Sequence, residues 1–272
     1  MKTNFHTHSH YCDGKGELRD YVEYAIAHGF SKLGFSGHAP MPIDDGACMS
    51  MDNYEHYISD VRALQQEYAD RIQLFLGLEI DYVPGVQEDF APLIRKGNLD
   101  YCIGSVHHVN DPCDPLNLWM IDGSRQEVYD EGLQRVFGGD MKRGLTAFFH
   151  QNCMMIEQNR PTIVGHFNKI VMHNRDRYFH EEDKLYLDLA CETIALIAET
   201  DGCLCEVNTR GIYKKRHDDY YPSRALLRYM KDKHIPVIVS TDAHEPSHLD
   251  LFEGAYEYLR EIGYKEVVYS IR

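Results

Sequence analysis

Short apolar runs alternate along the chain with longer stretches whose apolar residues recur every three or four positions. The short runs cover residues 2–5, 32–36, 73–79, 101–106, 162–164, 203–207 and 236–240, with 266–269 as an eighth. Their length and flanking polar residues predict strands. Between them, Tyr54, Ile58, Val61, Leu64 and Tyr68 share one helical face. So do Leu187, Cys191, Ile194 and Ala198, and so do Leu249, Phe252, Tyr256 and Leu259. Each stripe predicts a helix laid against a core. Asp201-Gly202 and Gly263 follow the last two as stop signals. Strand–helix alternation over one undivided chain predicts a mainly parallel sheet with crossover helices. Seven or eight such units favour a closed α/β barrel, a single domain over residues 1–272. Two insertions exceed ordinary connectors: a Pro/Asp-rich loop at 110–123 and a charged loop at 175–183.

Composition narrows the possible partners. The 272 residues are 43% hydrophobic and 26% charged, which suits a folded chain with a sizeable core and excludes wholesale disorder. Forty-three acidic against 28 basic residues leave a net charge of −15. Such a surface repels phosphate backbones, so neither a nucleic-acid polymer nor an anionic membrane is expected as a partner. An anionic small molecule would need local cations or metal ions. No apolar run reaches the roughly 18–20 residues of a membrane span, and no export-type apolar segment follows the first residues, so the expected compartment is the cytoplasm. The eight cysteines form no CxxC pair and read as reduced residues, not as a thiolate zinc site.

The polar residues fall in a telling place. His6 and His8 follow the first run, His38 the second, and Glu79 ends the third. His107 and His166 end the fourth and fifth. Asn208 and Arg210 follow the sixth, and Asp242 and His244 the seventh. In a parallel barrel all these strand ends meet on one rim, where barrel enzymes build their sites. Taken alone, His6-x-His8 reads equally as a two-pronged metal clamp or as a polar pair, since residues two apart on a strand share a face. Glu79 reads as a bridging carboxylate or as a solvated strand-end acid. Asp13, in Cys12-Asp13-Gly14, reads first as a turn residue. The other histidines, among them His150, His173, His217 and His248, read as surface or packed residues.

Together, His6-x-His8, Gly37-His38, Gly77-Leu78-Glu79, Ser105-Val106-His107, Gly165-His166 and Thr241-Asp242-Ala243-His244 resemble the polymerase and histidinol phosphatase (PHP) superfamily. The likeness runs to about residue 248. Glu206-Val207-Asn208-Thr209 and Tyr221-Pro222-Ser223 look like the monofunctional histidinol-phosphate phosphatases within it. The resemblance implies a distorted (β/α)7 TIM-like barrel with up to three divalent metals, Zn, Mn or Fe. His6, His8, Glu79 and Asp242 would hold the first, Glu79, His107 and His166 the second, and Asp13, His38 and His244 the third. It implies hydrolysis of L-histidinol phosphate; metal-ion chemistry then suggests in-line attack by a metal-bridging hydroxide, with Asp242 and His244 as candidate catalytic proton carriers.

Arg160 and Arg210 are the candidate phosphate-binding cations; the alternative for each is a surface salt bridge. Trp119 and Asp122, in the first insertion, are candidates for receiving the imidazole and amine. Two other functions share the ligand set: a phosphatase or phosphodiesterase acting on nucleotides, and a non-catalytic metal-binding module serving a polymerase. Metal-dependent C–N hydrolases also begin with His-x-His but rely on a bridging lysine where this chain has Glu79.

Overall fold

The computed structural model describes residues 1–43, 46–111 and 113–271. Its strands are β1 (Thr3–Asn4), β2 (Lys32–Phe35), β3 (Gln73–Asp81), β4 (Tyr101–Ser105), β5 (His108–Asp111), β6 (Asp114–Met120), β7 (Ile163–Val164), β8 (Leu204–Asn208), β9 (Val237–Ser240) and β10 (Val267–Val268). Eight of them form one parallel sheet in the order β1-β2-β3-β4-β7-β8-β9-β10. The sheet curls until its edges meet. Just past the strand ends, Thr7 bridges Ala243: the His8 N–H donates to Ala243 O at 2.8 Å and the Ala243 N–H to His6 O at 3.0 Å. At the opposite end β10 pairs with β9, Val267 opposite Val237. The expected TIM-like barrel is therefore present in distorted form, with the eighth run as a short added strand.

Phe5, Tyr101, Ile103, Ile163, Ile238 and Ile271 fill the interior. Tyr101 is packed through it: its hydroxyl donates to Phe5 O at 2.7 Å and has Phe35 O within reach at 3.0 Å. A Cβ at Gly77 would lie 2.4 Å from the Tyr101 ring, so only glycine fits there. Outside the barrel, the helix Met51–Glu67 buries Tyr54, Tyr57, Val61 and Leu64, and Ser50 caps it by accepting from the Asn53 N–H at 3.1 Å. No described helix is long and apolar enough to cross a membrane.

Four expectations need correction. The 110–123 insertion is not a loop but largely an antiparallel hairpin, β5 against β6. Trp119 is buried in it, its indole N–H donating to Tyr129 O at 2.8 Å and its ring packed against Gly132 and Phe137, so it presents no surface to a substrate. The stripe on the helix Lys184–Glu199 is rotated: Tyr186, Ala190, Thr193, Ile194 and Ile197 face the core, while Ala198 is exposed. The third periodic stretch breaks into a 3-10 turn, Pro246–His248, and a short helix, Ala255–Glu261, where Glu253 and Gly254 take φ of 48° and 73°.

Candidate metal centre

The C-terminal ends of β1, β2, β3, β4, β7, β8 and β9 deliver polar side chains to one mouth, with Glu79 at its middle. His6 and His8 turn the same way, as residues two apart should. Their Nε2 atoms lie 3.1 and 3.4 Å from Glu79 Oε2, and His38 Nδ1 lies 3.3 Å from the same oxygen. Glu79 Oε1 stands 2.9 Å from His166 Nε2 and 3.4 Å from His107 Nε2, and it accepts the Ser105 hydroxyl at 2.6 Å. Asp242 Oδ1 lies 3.4 Å from His8 Nε2 and 3.3 Å from His244 Nδ1. Asp13 meets His244 Nε2 at 3.1 Å and stands 3.7 Å from His8 and 3.8 Å from His38.

Among the described residues, three overlapping sets have donor atoms close enough to share an ion: His6, Glu79 and His166; His6, His8 and Asp242; and His8, Asp13, His38 and His244. The partition differs from the one the resemblance implied. His8 also joins the outer set, and His107 stands beside Glu79 outside all three.

The donor chemistry fits divalent cations. The Nε2 atoms of His6, His8 and His107 are buried without a hydrogen bond, an expensive state for an imidazole unless an ion takes the lone pair. Mixed imidazole and carboxylate ligands suit Zn, Mn or Fe. Charge explains the titration. Burial opposes ionisation of Glu79, but His6, His107 and His38 outweigh it and hold its carboxyl well below the usual range. Burial likewise opposes ionisation of Asp242, and Arg210 and Lys169 overcome it. Burial lowers His8, helped by His244 and His38. His6 goes the other way: burial pulls it down, yet Glu206, Glu79 and Asp242 raise it well above its ordinary value.

A cleft of about 340 Å³ opens over the cluster. Lys169, Arg210 and Arg216 supply cations to its wall, and Asp122 and Asp81 supply acids. The buried Lys169 ammonium lies 3.0 Å from Asp122 and 3.5 Å from Asp242 Oδ2. Arg210 donates to Asp242 O at 2.6 Å and to His244 Nδ1 at 2.8 Å. Asp242 has a φ of 52°, a left-handed backbone that presents its carbonyl to Arg210 and to the Tyr213 hydroxyl.

Arg160, the other candidate phosphate binder, is misplaced. It caps the helix Met141–Asn159 with φ 44°, exposed, just before β7. A residue preceding a parallel strand sits at the far end of the barrel from the mouth, so Arg160 cannot reach the cleft.

Sequence reading passed over Lys169 as a site residue and took Glu206 only as part of a family-like segment. Glu206 is buried under the cluster, 2.6 Å from His6 Nδ1. The clue was strand alternation, which sends Glu206 and Asn208 to one face of β8. Lys169 had only its position three residues beyond His166.

The model of the PHP domain family matches residues 4–210. A Schizosaccharomyces pombe protein named "Probable histidinol-phosphatase" is 28% identical over 278 residues, covering 97% of this chain and 87% of its own. A solved structure from Listeria monocytogenes, described as a candidate histidinol phosphatase, superposes with a TM-score of 0.82 at 22% identity over 94% of this chain and all of its own. A histidinol phosphate phosphatase from Lactococcus lactis, solved with zinc, L-histidinol and phosphate, gives 0.67 at 21% identity over 98% of this chain and 95% of its own.

Proposed function

Because the chain belongs to the PHP domain family, we propose that it is a metal-dependent phosphomonoesterase that hydrolyses L-histidinol phosphate to L-histidinol and inorganic phosphate. One observation carries the metal dependence: buried imidazole nitrogens without hydrogen bonds ring a single carboxylate beneath a cleft lined with cations. The ligands assigned are His6, His8, Asp13, His38, Glu79, His107, His166, Asp242 and His244, for up to three Zn, Mn or Fe ions. When bound, such ions neutralise phosphoryl charge and lower the pKa of a coordinated water to about 7.

The protein's own groups do the rest. Lys169 and Arg210 bind phosphoryl oxygens, Lys169 as a point charge and Arg210 through its fork. Lys169 carries its proton firmly: burial pulls its pKa down, but Asp122, Asp242 and Glu79 more than restore it. Asp122 and Asp81 on the cleft wall are acceptors for the amine and imidazole of the substrate. Asp242 has Oδ1 among the imidazoles and Oδ2 toward Lys169, so Oδ2 is the site we assign for a proton leaving the nucleophile. Arg210 donates to His244 Nδ1, so with that contact made the ring carries its proton on Nε2, the atom from which a proton would pass to the leaving alkoxide, and His244 would ligate a metal through Nε2 only with that contact released.

The test is a phosphomonoester panel run against chelated protein reloaded with each metal. Phosphate release from histidinol phosphate should exceed release from nucleoside monophosphates. Full activity after chelation would overturn the metal requirement, and a preference for nucleotides would overturn the substrate. Lys169→Met should raise KM by about tenfold, the worth of one charge-assisted hydrogen bond.

A further inference from the structure

Glu206 lies on β8, fully buried, with no part in the cleft wall. A carboxylate so placed is costly unless its oxygens are fully used. They are. Oε1 accepts from His6 Nδ1 at 2.6 Å and from the Ser240 hydroxyl. Oε2 accepts from the His166 backbone N–H at 3.0 Å and from the Asn208 amide at 3.3 Å. The same Asn208 nitrogen lies 3.3 Å from Asp242 Oδ2. One carboxylate thus touches the side chain of His6, the backbone of His166 and, through Asn208, the carboxylate of Asp242.

We infer that Glu206 is a positioning residue that sets the metal affinity of the inner donors by fixing the tautomer and ring orientation of His6. With the proton held on Nδ1 toward Glu206, the Nε2 lone pair faces the cluster, where it has no hydrogen bond. A carboxylate behind a ligating imidazole also makes that imidazole a better donor. Asp13, His38 and His244 have no such link to Glu206, so its influence falls on the inner sets alone.

The inference rests on reading the cluster as a metal centre, and the experiment separates the two. Zinc affinity is measured by chelator competition on wild type and Glu206→Gln. Glutamine keeps the shape but cannot accept on both oxygens, and zinc affinity should fall about 10- to 100-fold. A purely structural role would lower the melting temperature of the metal-free variant and leave the zinc affinity of its folded fraction intact. If wild type binds no zinc, the metal centre itself is wrong. If wild type binds and the variant stays within about threefold, the Glu206 role is wrong. Should the variant not fold, the decision passes to ¹⁵N-histidine NMR of zinc-loaded wild type. There His6 should carry its proton on Nδ1, and a proton on Nε2 would overturn the inference.

Discussion

The inner and outer halves of the cluster are built from the same residue types and differ in what stands behind them. Glu79, His166 and Asp242 are essentially closed to solvent, with side chains 1–2% exposed, and Ser105, Asn208 and Glu206 hold them from below. Asp13, His38 and His244 come from loops, their side chains 33%, 15% and 13% exposed; Asp13 pairs with His244, which Arg210 also holds, and His38 reaches inward to Glu79. Burial and fixed orientation make a tight, discriminating site, whereas exposed loop donors reorganise easily and exchange with water. The cluster therefore combines a buried floor with a partly exposed rim.

The comparison can be broken at its floor. Glu79→Gln removes the negative charge of the carboxylate that five imidazoles share between its two oxygens, and kcat should fall on the order of a thousandfold with zinc lost from both halves. Metal analysis that finds full zinc in this variant would contradict the central place given to Glu79. Asp13→Ala sharpens the contrast. It should weaken outer zinc by about a hundredfold and leave inner zinc in place, seen as a biphasic chelator titration in which only the weak phase moves.

The smallest effect concerns the loop that carries His244. His248 lies there, 3.3 Å from the Lys214 ammonium, and burial with that charge lowers its pKa to about 4. An unfolded histidine titrates near 6.5. Between those values the unfolded chain binds a proton that the folded chain refuses, so stability is lost as pH falls through that window. His248→Asn lacks this liability. Its Tm relative to wild type should rise by about 2 °C between pH 7 and 4.5. A pH-independent difference would refute the assignment.

Much of this was legible in advance, and the reasons are physical. Each of the eight predicted runs overlaps an observed parallel strand, because buried parallel strands are continuous apolar runs that stand out between helices. The residues that gather at the mouth were legible because strand ends are where an apolar run meets a side chain it cannot bury alone. Arg160 was misjudged by ignoring direction: before a strand and after it are opposite ends of a barrel. The hairpin was hidden by its prolines and aspartates, although Leu116, Leu118 and Met120 alternate as a strand should. Glu206 was overlooked as a site residue because a carboxylate inside a strand acts on the site through another side chain, which composition does not display.

The contact between Thr7 and Ala243 has a consequence for assembly. It lays the first pair of donors, His6 and His8, directly beside the last, Asp242 and His244. No ribosome-bound fragment that stops short of that final pair can complete the inner cage. Metal binding by the sets that include Asp242 or His244 would therefore wait until both extremities of the ring have found each other, whereas the set of His6, Glu79 and His166 needs only the first of them.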